Sequence, residues 1–369
     1  MPDLYIRPIG FCWVANRDRI DEVRGALPLA GNRHLDFTGV EVIERRGGTL
    51  TLKTAGLGEL SEVEWGRRTV DISGFFNAIL MPRPRIAGLA MDRAHIMGIV
   101  NVTPDSFSDG GRLTSTQAAI EHARALEVAG AGILDIGGES TRPGSDPVPL
   151  DEELRRVMPV IEGLAGRVEA RISIDTRKAE VMRRAAAAGA DLINDISALT
   201  HDRASLDVAA ESGLPVILMH ALGDPKTMQD APAYDHVLLD VFDYLEQRIA
   251  ACEAAGIERG RLIADPGIGF GKTVDHNLTL LHGLSLFHGL GVPILLGASR
   301  KRFIGAVTGA GNVGGASADQ RPDERVAGSI AAALMGVAQG AQIIRVHDVA
   351  ETKQALALWQ AIERSKLAA

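Results

Sequence analysis

Four polar residues, Asp175, Asn194, Asp265 and Lys301, each follow a short apolar run with the composition of a buried strand. An ionised group in such surroundings is costly unless it is paired, so each residue needs a partner or a ligand. If the four converge, their carboxylate, amide and ammonium groups could bind a ring with a donor-donor-acceptor edge, as pterin and guanine rings have. The alternative is a structural role, for example a salt bridge between Asp265 and Lys301.

The last apolar run ends in "RVHDV", which places Arg345 and His347 two residues apart and therefore on one face of a strand. This pair predicts an oxyanion site, although a lone histidine is more often a core residue. Within "DIGGESTRPGS" (residues 135–145), Arg142 could act as a planar anion clamp or could be an ordinary solvated loop residue.

The stretch "NVTPDSFSDGG" (residues 101–111) is a polar loop that directly follows the first strand of the predicted barrel. Its Asn, Asp, Ser and Gly content could reflect turn chemistry alone. The functional interpretation is that Asn101 offers a neutral oxygen to phosphate-bound Mg²⁺, while the loop folds over the site.

The stretch "ADPGIGFGKT" (residues 264–273) ends like a nucleotide-binding P-loop. A P-loop has a glycine that four residues separate from its Gly-Lys pair, but this position is Pro266, which has no N–H to offer a phosphate. The sequence therefore predicts another role for this loop, and no ATP binding.

From about residue 94 onward, short apolar runs alternate with helical patterns such as "TQAAIEHARALEVAG", which is typical of parallel βαβ units. The eight candidate strands are "IMGIVNV", "GILDIG", "RISID", "DLIND", "PVILMH", "RLIAD", "PILLG" and "QIIRVH". Eight such units predict an α/β fold, a (β/α)8 TIM barrel, whose chemistry lies at the carboxyl ends of the strands. The side chains at those ends are Asn101, Asp135, Asp175, Asn194 with Asp195, Met219 with His220, Asp265, Ser299 to Lys301, and Arg345 with His347.

Residues 1–88 have a different pattern and are predicted to form an N-terminal accessory extension, with the barrel in residues 89–369. "VEVIERRGGTLTLKT" alternates apolar and polar residues around Gly47-Gly48, which predicts a β-hairpin. "MPRPR" indicates an extended linker, and "IAGLAMDRAHI" could form a second hairpin that plugs the bottom of the barrel.

The composition limits the partners of the chain. With 39 Lys+Arg and 47 Asp+Glu, its net charge of −8 disfavours nucleic acid and anionic membranes as partners. No run has the length of a membrane span. Only two cysteines, Cys12 and Cys252, occur in 369 residues, which fits a reducing cytoplasm better than a disulfide framework.

Seven motifs, in this order, resemble those of the dihydropteroate synthases of the folate pathway: "MGIVNVTPDSFSDGG", "LDIGGESTRPGS", "SIDT", "LINDISAL", "ADPGIGFGKT", "GASRKRFIG" and "IIRVHDV". The resemblance covers about residues 94–365 and departs from the family only in variable positions of "MHALGDPKTMQ". It implies condensation of 6-hydroxymethyl-7,8-dihydropterin diphosphate with 4-aminobenzoate, giving 7,8-dihydropteroate and diphosphate, in an enzyme that sulfonamides inhibit.

The resemblance also assigns roles. It implies catalytic roles for Asp175, Asn101, Arg345, His347 and Lys301. It implies pterin binding by Asp175, Asn194, Met219, Asp265, Phe270, Gly297 and Lys301. It implies diphosphate and aminobenzoate binding by Thr141, Arg142, Pro143, Ser299, Arg300, Arg345 and His347. Asn101 is the expected Mg²⁺ ligand, and a homodimer in the cytoplasm is expected.

Two other functions remain open from the sequence. A pterin-dependent methyltransferase would keep the pterin-binding Asp and Asn, but it would need no diphosphate site. A non-catalytic paralogue that binds pterin is the second alternative, although every matched site residue is present.

Overall fold

The computed structural model describes residues 4–14, 25–59, 73–102, 111–140, 145–223, 228, 231–309 and 320–365. In this part of the chain, two sheets form, one antiparallel near the N-terminus and one parallel that follows it. No helix in the described ranges combines the length and apolarity that a membrane crossing requires.

The parallel sheet is the predicted barrel. Its strands are β5 (His95–Asn101), β6 (Ile133–Gly137), β7 (Arg171–Asp175), β8 (Leu192–Asp195), β9 (Val216–Met219), β10 (Leu262–Asp265), β11 (Leu295–Leu296) and β12 (Ile343–Val346). Neighbours in sequence pair in space, and β12 pairs with β5. A bridge between Ala264 and Ile294 brings β10 beside β11 and closes the ring. The TIM-barrel prediction and all eight strand predictions are confirmed.

Helices surround the barrel because their apolar sides pack on the outer faces of the strands, in a continuous buried core. They are α2 (Gly111–Ala129), α3 (Leu150–Leu164), α4 (Ala179–Ala187), α5 (Ser205–Ser212), α6 (Val237–Ala254), α7 (Val274–His282), α8 (Arg302–Gly309), α9 (Val326–Ala338) and α10 (Val349–Ser365). Short 3-10 helices span Leu57–Glu59, Arg259–Arg261, Leu284–Leu290 and Pro322–Arg325.

A small hairpin closes the amino end of the barrel, as predicted. Ile86 and Leu89 exchange backbone hydrogen bonds of 3.0 and 2.8 Å. Ile86 and Met91 are buried against the first residues of the strands, in a cluster with Met97, Ile133, Leu192, Ile217, Ile263, Leu295 and Ile343. Ile86 therefore belongs physically to the barrel, although it precedes the predicted domain boundary at residue 88.

The N-terminal sheet contains β1 (Leu4–Trp13), β2 (Leu27–Pro28), β3 (Leu35–Arg46) and β4 (Thr49–Gly56). The predicted hairpin is confirmed: β3 and β4 are joined by Gly47 and Gly48, whose φ angles of 52° and 80° suit a two-residue turn. One face of the sheet packs with α1 (Ser73–Leu80) in a core of its own.

The other face of the sheet docks on the barrel, through residues of the main core such as Tyr5 and Ile43. The Tyr5 hydroxyl donates to Asp243 of α6 at 3.0 Å, and Arg45 pairs with Asp240 at 2.7 Å and with Asp243. At the far end of β1, Trp13 meets Trp359 of α10 edge to face, with ring centroids 5.0 Å apart.

Candidate active site

A cavity opens among the carboxyl ends of the strands and brings together ten of the predicted site residues. Its lining consists of Ile99, Asp175, Asn194, Ile196, Met219, Asp265, Phe270, Gly297, Ser299, Lys301, Arg345 and His347. The strands place these residues there because the carboxyl ends of parallel strands meet at one edge of a barrel.

Asp265 is the last residue of β10 and is buried. Its Oδ1 accepts a 2.7 Å hydrogen bond from the N–H of Gly267, which fixes the carboxylate at the start of the loop. Gly267 has a φ of 68°, and a Cβ there would lie 1.9 Å from the His220 carbonyl oxygen, so only glycine fits. Burial raises the pKa of the Asp265 carboxyl, and the charge of Lys301 opposes that rise.

Arg345 holds a network of buried polar groups. Its Nε donates to Asp135 Oδ2 at 2.6 Å and its Nη2 donates to Asp175 Oδ2 at 2.9 Å. The amide of Asn194 donates to the same Asp135 oxygen at 3.0 Å. Side chains from four different strands are therefore tied together inside the barrel.

Two carboxylates share one guanidinium in this network, which affects their protonation. Burial raises the pKa of Asp175 to about 8, the neighbouring Asp135 adds to the rise, and Arg345 opposes it. Burial lowers the pKa of Arg345, but the two carboxylates outweigh this effect and the net direction is upward. The pKa of Asp175 is therefore close enough to neutral pH that a bound ligand could change the ionisation of this side chain.

Lys301 reaches the cavity from the turn after β11. Its Nζ donates to the Ile268 carbonyl and lies 4.4 Å from the centroid of the Phe270 ring. Burial lowers the pKa of Lys301 to about 7, with Asp265 opposing this change. Lys301 is therefore fixed against the loop after β10. Its ammonium donates to the Ile268 carbonyl, so a simple salt bridge between Asp265 and Lys301 does not describe its hydrogen bonding.

Ser299 and His347 contact each other, with Ser299 Oγ 3.0 Å from His347 Nδ1. Arg300, between Ser299 and Lys301, has a φ of 57° and bonds to Asp348, with its Nε 3.0 Å from Oδ2. Of the three consecutive residues, Ser299 and Lys301 line the cavity, whereas the structure directs the Arg300 side chain to Asp348.

Asn101 ends β5 at the same end of the barrel, partly buried, and is paired in register with Gly137. The predicted residues Thr141, Arg142 and Pro143 lie outside the described residues, as does most of the loop that follows Asn101.

Three residues at this site had no predicted role, although Asp135 was predicted to lie at the end of a strand. Asp135 binds Arg345 and Asn194, and its signal in the sequence was a carboxylate inside a fully apolar strand. Ile99 and Ile196 line the cavity, but apolar side chains beside strand ends give no signal that separates them from the core.

The cavity at the carboxyl end of the parallel barrel thus contains the buried acid, amide and amine side chains that were predicted to bind a pterin-like ring. Accordingly, residues 97–347 match the family model of "Pterin binding enzyme". The chain is 50% identical over 278 residues to dihydropteroate synthase of Escherichia coli K12, covering 75% of this chain and 95% of that protein. It is 49% identical over 266 residues to the Haemophilus influenzae dihydropteroate synthase, covering 72% and 93% of the two chains.

Solved structures of dihydropteroate synthases also match this chain. Xanthomonas albilineans dihydropteroate synthase with 4-aminobenzoic acid matches with a TM-score of 0.70 and 51% identity, over 76% of this chain and 98% of that chain. The same enzyme in complex with 7,8-dihydropteroate matches with a TM-score of 0.67 and 48% identity, over 76% and 99%. The chain belongs to the dihydropteroate synthase family of transferases.

Proposed function

We propose that this member of the family condenses 6-hydroxymethyl-7,8-dihydropterin diphosphate with 4-aminobenzoate in the cavity at the carboxyl end of its barrel. The observation that carries the assignment is the convergence of Asp175, Asn194, Asp265 and Lys301, from four separate segments, on one cavity. The products are 7,8-dihydropteroate and diphosphate.

The pterin ring binds among these four side chains. The Asp265 carboxylate accepts from the amino and N–H groups of the ring, and Lys301 donates to its carbonyl or a ring nitrogen. Asn194 is held by Asp135 and presents its amide beside them. Met219 and Phe270 supply apolar surface to the ring, and Gly297 leaves room for it.

In the reaction, the bond between the pterin CH₂ and the diphosphate oxygen breaks, and its electron pair leaves with the diphosphate. The positive charge that develops on the CH₂ group and the ring is stabilised by the Asp175 carboxylate. The aniline nitrogen of aminobenzoate supplies its lone pair to form the new C–N bond and then loses a proton. A neutral amine attacks without a strong base.

The leaving diphosphate is bound by Arg345 and His347, whose side chains line the cavity. Ser299 orients the His347 ring and contributes to the aminobenzoate site. Thr141, Arg142 and Pro143 complete the aminobenzoate and diphosphate sites in this proposal. For Arg300, whose side chain binds Asp348, the proposal keeps only a role in shaping the Ser299–Lys301 turn.

Mg²⁺ is also part of the proposal, with Asn101 as its protein ligand. Mg²⁺ usually keeps several waters and takes other oxygens from substrate phosphates, so a single amide oxygen at this position fits it. When bound, the ion would neutralise charge on the diphosphate. Removal of Mg²⁺ with a chelator should abolish turnover, and Asn101→Ala should raise the Mg²⁺ concentration needed to restore it.

We further propose a homodimer in the cytoplasm. Leu278, Val307 and Met335 are exposed apolar side chains on the neighbouring helices α7, α8 and α9, and a second copy could cover them. Cys12 and Cys252, both described by the structure, form no disulfide with each other, which fits a reducing compartment. Sedimentation of the wild type and of Met335→Glu would test the dimer.

The deciding experiment for the function measures diphosphate release with both substrates and Mg²⁺. Release that requires aminobenzoate, and that Asp265→Asn abolishes, is the expected result. Pterin binding without diphosphate release would instead indicate a non-catalytic paralogue, and methyl transfer from a methylated pterin would indicate the methyltransferase alternative.

A further inference from the structure

Lys272, the lysine of the P-loop-like sequence, is buried and has no role in the site proposed above. Its Nζ lies 2.9 Å from His220 Nδ1, 3.3 Å from the His220 carbonyl oxygen and 3.0 Å from the Phe270 carbonyl oxygen. The residue is 3% exposed. An ammonium has three N–H donors and no acceptor, so its three neighbours match its three donors.

His220 is the acceptor side of this contact. Burial lowers the pKa of the His220 ring and the neighbouring charge of Lys272 lowers it further, so the ring is neutral and Nδ1 is free to accept. Burial also lowers the pKa of Lys272 well below its usual value, the charge of Lys301 adds to this lowering, and Asp265 opposes it. In its protonated form the amine can donate one hydrogen bond to each of its three neighbours.

The contact joins two loops at the carboxyl end of the barrel. His220 follows β9, and its N–H donates to the Asp265 carbonyl at 3.1 Å. The loop after β10 passes directly against this segment, because a Cβ at Gly271 would lie 2.7 Å from the Leu222 carbonyl oxygen. Together with Gly267, Gly271 allows a backbone approach that no larger residue permits.

Aromatic side chains fix the same two loops from outside. The His220 ring meets Tyr244 edge to face, with centroids 4.8 Å apart. The Tyr234 hydroxyl donates to the Gly271 carbonyl at 2.7 Å. Lys272 therefore bridges the centre of a packed junction; Phe270 of the cavity wall lies in the loop that it holds, and Asp265 directly precedes that loop.

We propose that Lys272 is a positioning residue, whose ammonium joins the end of β9 to the loop after β10 and thereby holds Asp265 and Phe270 for the pterin. This inference rests on the proposed pterin site. It explains the Gly-Phe-Gly-Lys sequence without a phosphate, because the glycines permit close approach of the loops and the lysine bridges them.

Calorimetry with two ligands tests the proposal, namely 6-hydroxymethyl-7,8-dihydropterin and its diphosphate ester. Lys272→Met keeps the length of the side chain but removes its donors, and it should weaken binding of both ligands by the same factor, about tenfold or more. Weakened binding of the ester alone would mean a phosphate contact, and a lower Tm with unchanged affinity would mean a purely structural role; either result would overturn the proposal. Lys353→Met, which removes an exposed lysine of α10, is the charge-matched control.

A second pair of variants addresses the acceptor and decides the question if Lys272→Met does not fold. His220→Asn places an amide oxygen near the position of Nδ1, whereas His220→Leu has no acceptor. The Asn variant should bind pterin more tightly than the Leu variant, and equal affinities would contradict the proposal. Asp265→Asn tests the pterin site separately. If Asp265→Asn binds pterin like the wild type, the proposed pterin site is wrong. If Asp265→Asn loses pterin binding while the Lys272 and His220 variants keep it, the pterin site stands and only the positioning role of Lys272 is wrong.

Discussion

Arg345 contacts two buried carboxylates as well as the cavity, and this gives its replacement two separate effects. Arg345→Met should lower turnover by roughly tenfold to a hundredfold or more, because charge-assisted hydrogen bonds to the leaving diphosphate are lost. It should also lower the Tm, since Asp135 and Asp175 would remain buried without their cation.

His347→Ala is the matched comparison for Arg345. It should lower turnover through the same loss of diphosphate binding but leave the Tm closer to that of the wild type, because Arg345 stays in place beside Asp135 and Asp175. Steady-state kinetics, product inhibition by diphosphate and thermal unfolding measure the three quantities. Full activity in both variants would show that the leaving group binds elsewhere.

Asp175 gives a prediction about pH and stability. The pKa of Asp175 in the folded protein, about 8, lies above the usual value of 3.8. Protonated Asp175 therefore stabilises the folded protein fully below pH 4, and this stabilisation is lost as the pH rises through 8. Asp175→Asn should be inactive, because it loses the carboxylate that stabilises the developing positive charge, yet its stability relative to the wild type should increase as the pH rises from 5 to 8.

Urea unfolding of both proteins at several pH values measures this difference. A constant difference between the two proteins across this range would mean that Asp175 is ionised in the folded protein throughout. Asp240→Asn, at a carboxylate that is outside the cavity, should not reproduce the trend.

At the residue scale, the sequence predicted which side chains reach the cavity but not how they pair. Asp175, Asn194 and Asp265 could be placed because the ends of parallel strands share one edge. That Arg345 binds Asp135 and Asp175 depends on distances between strands, which no local pattern contains. The bond between Arg300 and Asp348 was not predicted, because a sequence does not reveal the φ of 57° at Arg300 or the position of the Asp348 carboxylate.

At the scale of the elements, the hairpin at the amino end of the barrel should contribute to stability and not to catalysis. Ile86→Ala removes a fully buried side chain from the cluster at the first residues of the strands and should cost about 2–5 kcal/mol. KM for both substrates should not change, because the cluster lies at the opposite end of the strands from the cavity.

Leu358→Ala, at an exposed leucine of α10, is the control and should change stability by no more than about 0.5 kcal/mol. Unfolding in guanidinium and steady-state kinetics on the same preparations provide the comparison. A change in KM with unchanged stability would show that the bottom of the barrel influences the site.

The barrel elements could be predicted because each strand is a short apolar run and each helix has its own periodicity. The hairpin of β3 and β4 was equally visible, since Gly47 and Gly48 mark its turn. By contrast, β2 has two residues and α1 lies in a segment without a clear pattern, so neither could be predicted; both depend on packing in the small N-terminal core.

At the scale of the whole molecule, the N-terminal sheet covers one side of the barrel and its deletion tests how far the two depend on each other. A chain that lacks residues 1–80 loses Tyr5 and Arg45 and exposes the surface around Asp243. It should unfold at a lower temperature, because buried apolar contacts and a buried ion pair are removed.

Turnover by that truncated chain at low temperature should persist, since the residues assigned to the cavity all follow residue 88. Circular dichroism establishes folding, and diphosphate release measures activity. A folded truncation without turnover would show that the extension contributes to the active site.

The contact between Trp13 and Trp359 should give a circular dichroism signal that reports whether the N-terminal sheet is packed on the barrel. Two indoles whose centroids are 5.0 Å apart, with their planes at 78°, couple their electronic transitions and should produce a pair of circular dichroism bands of opposite sign. One indole belongs to the first strand and the other to the last helix, so the couplet exists only while the N-terminal sheet rests on the barrel. Its disappearance on heating, before the helical signal falls, would show that the two ends of the chain separate first.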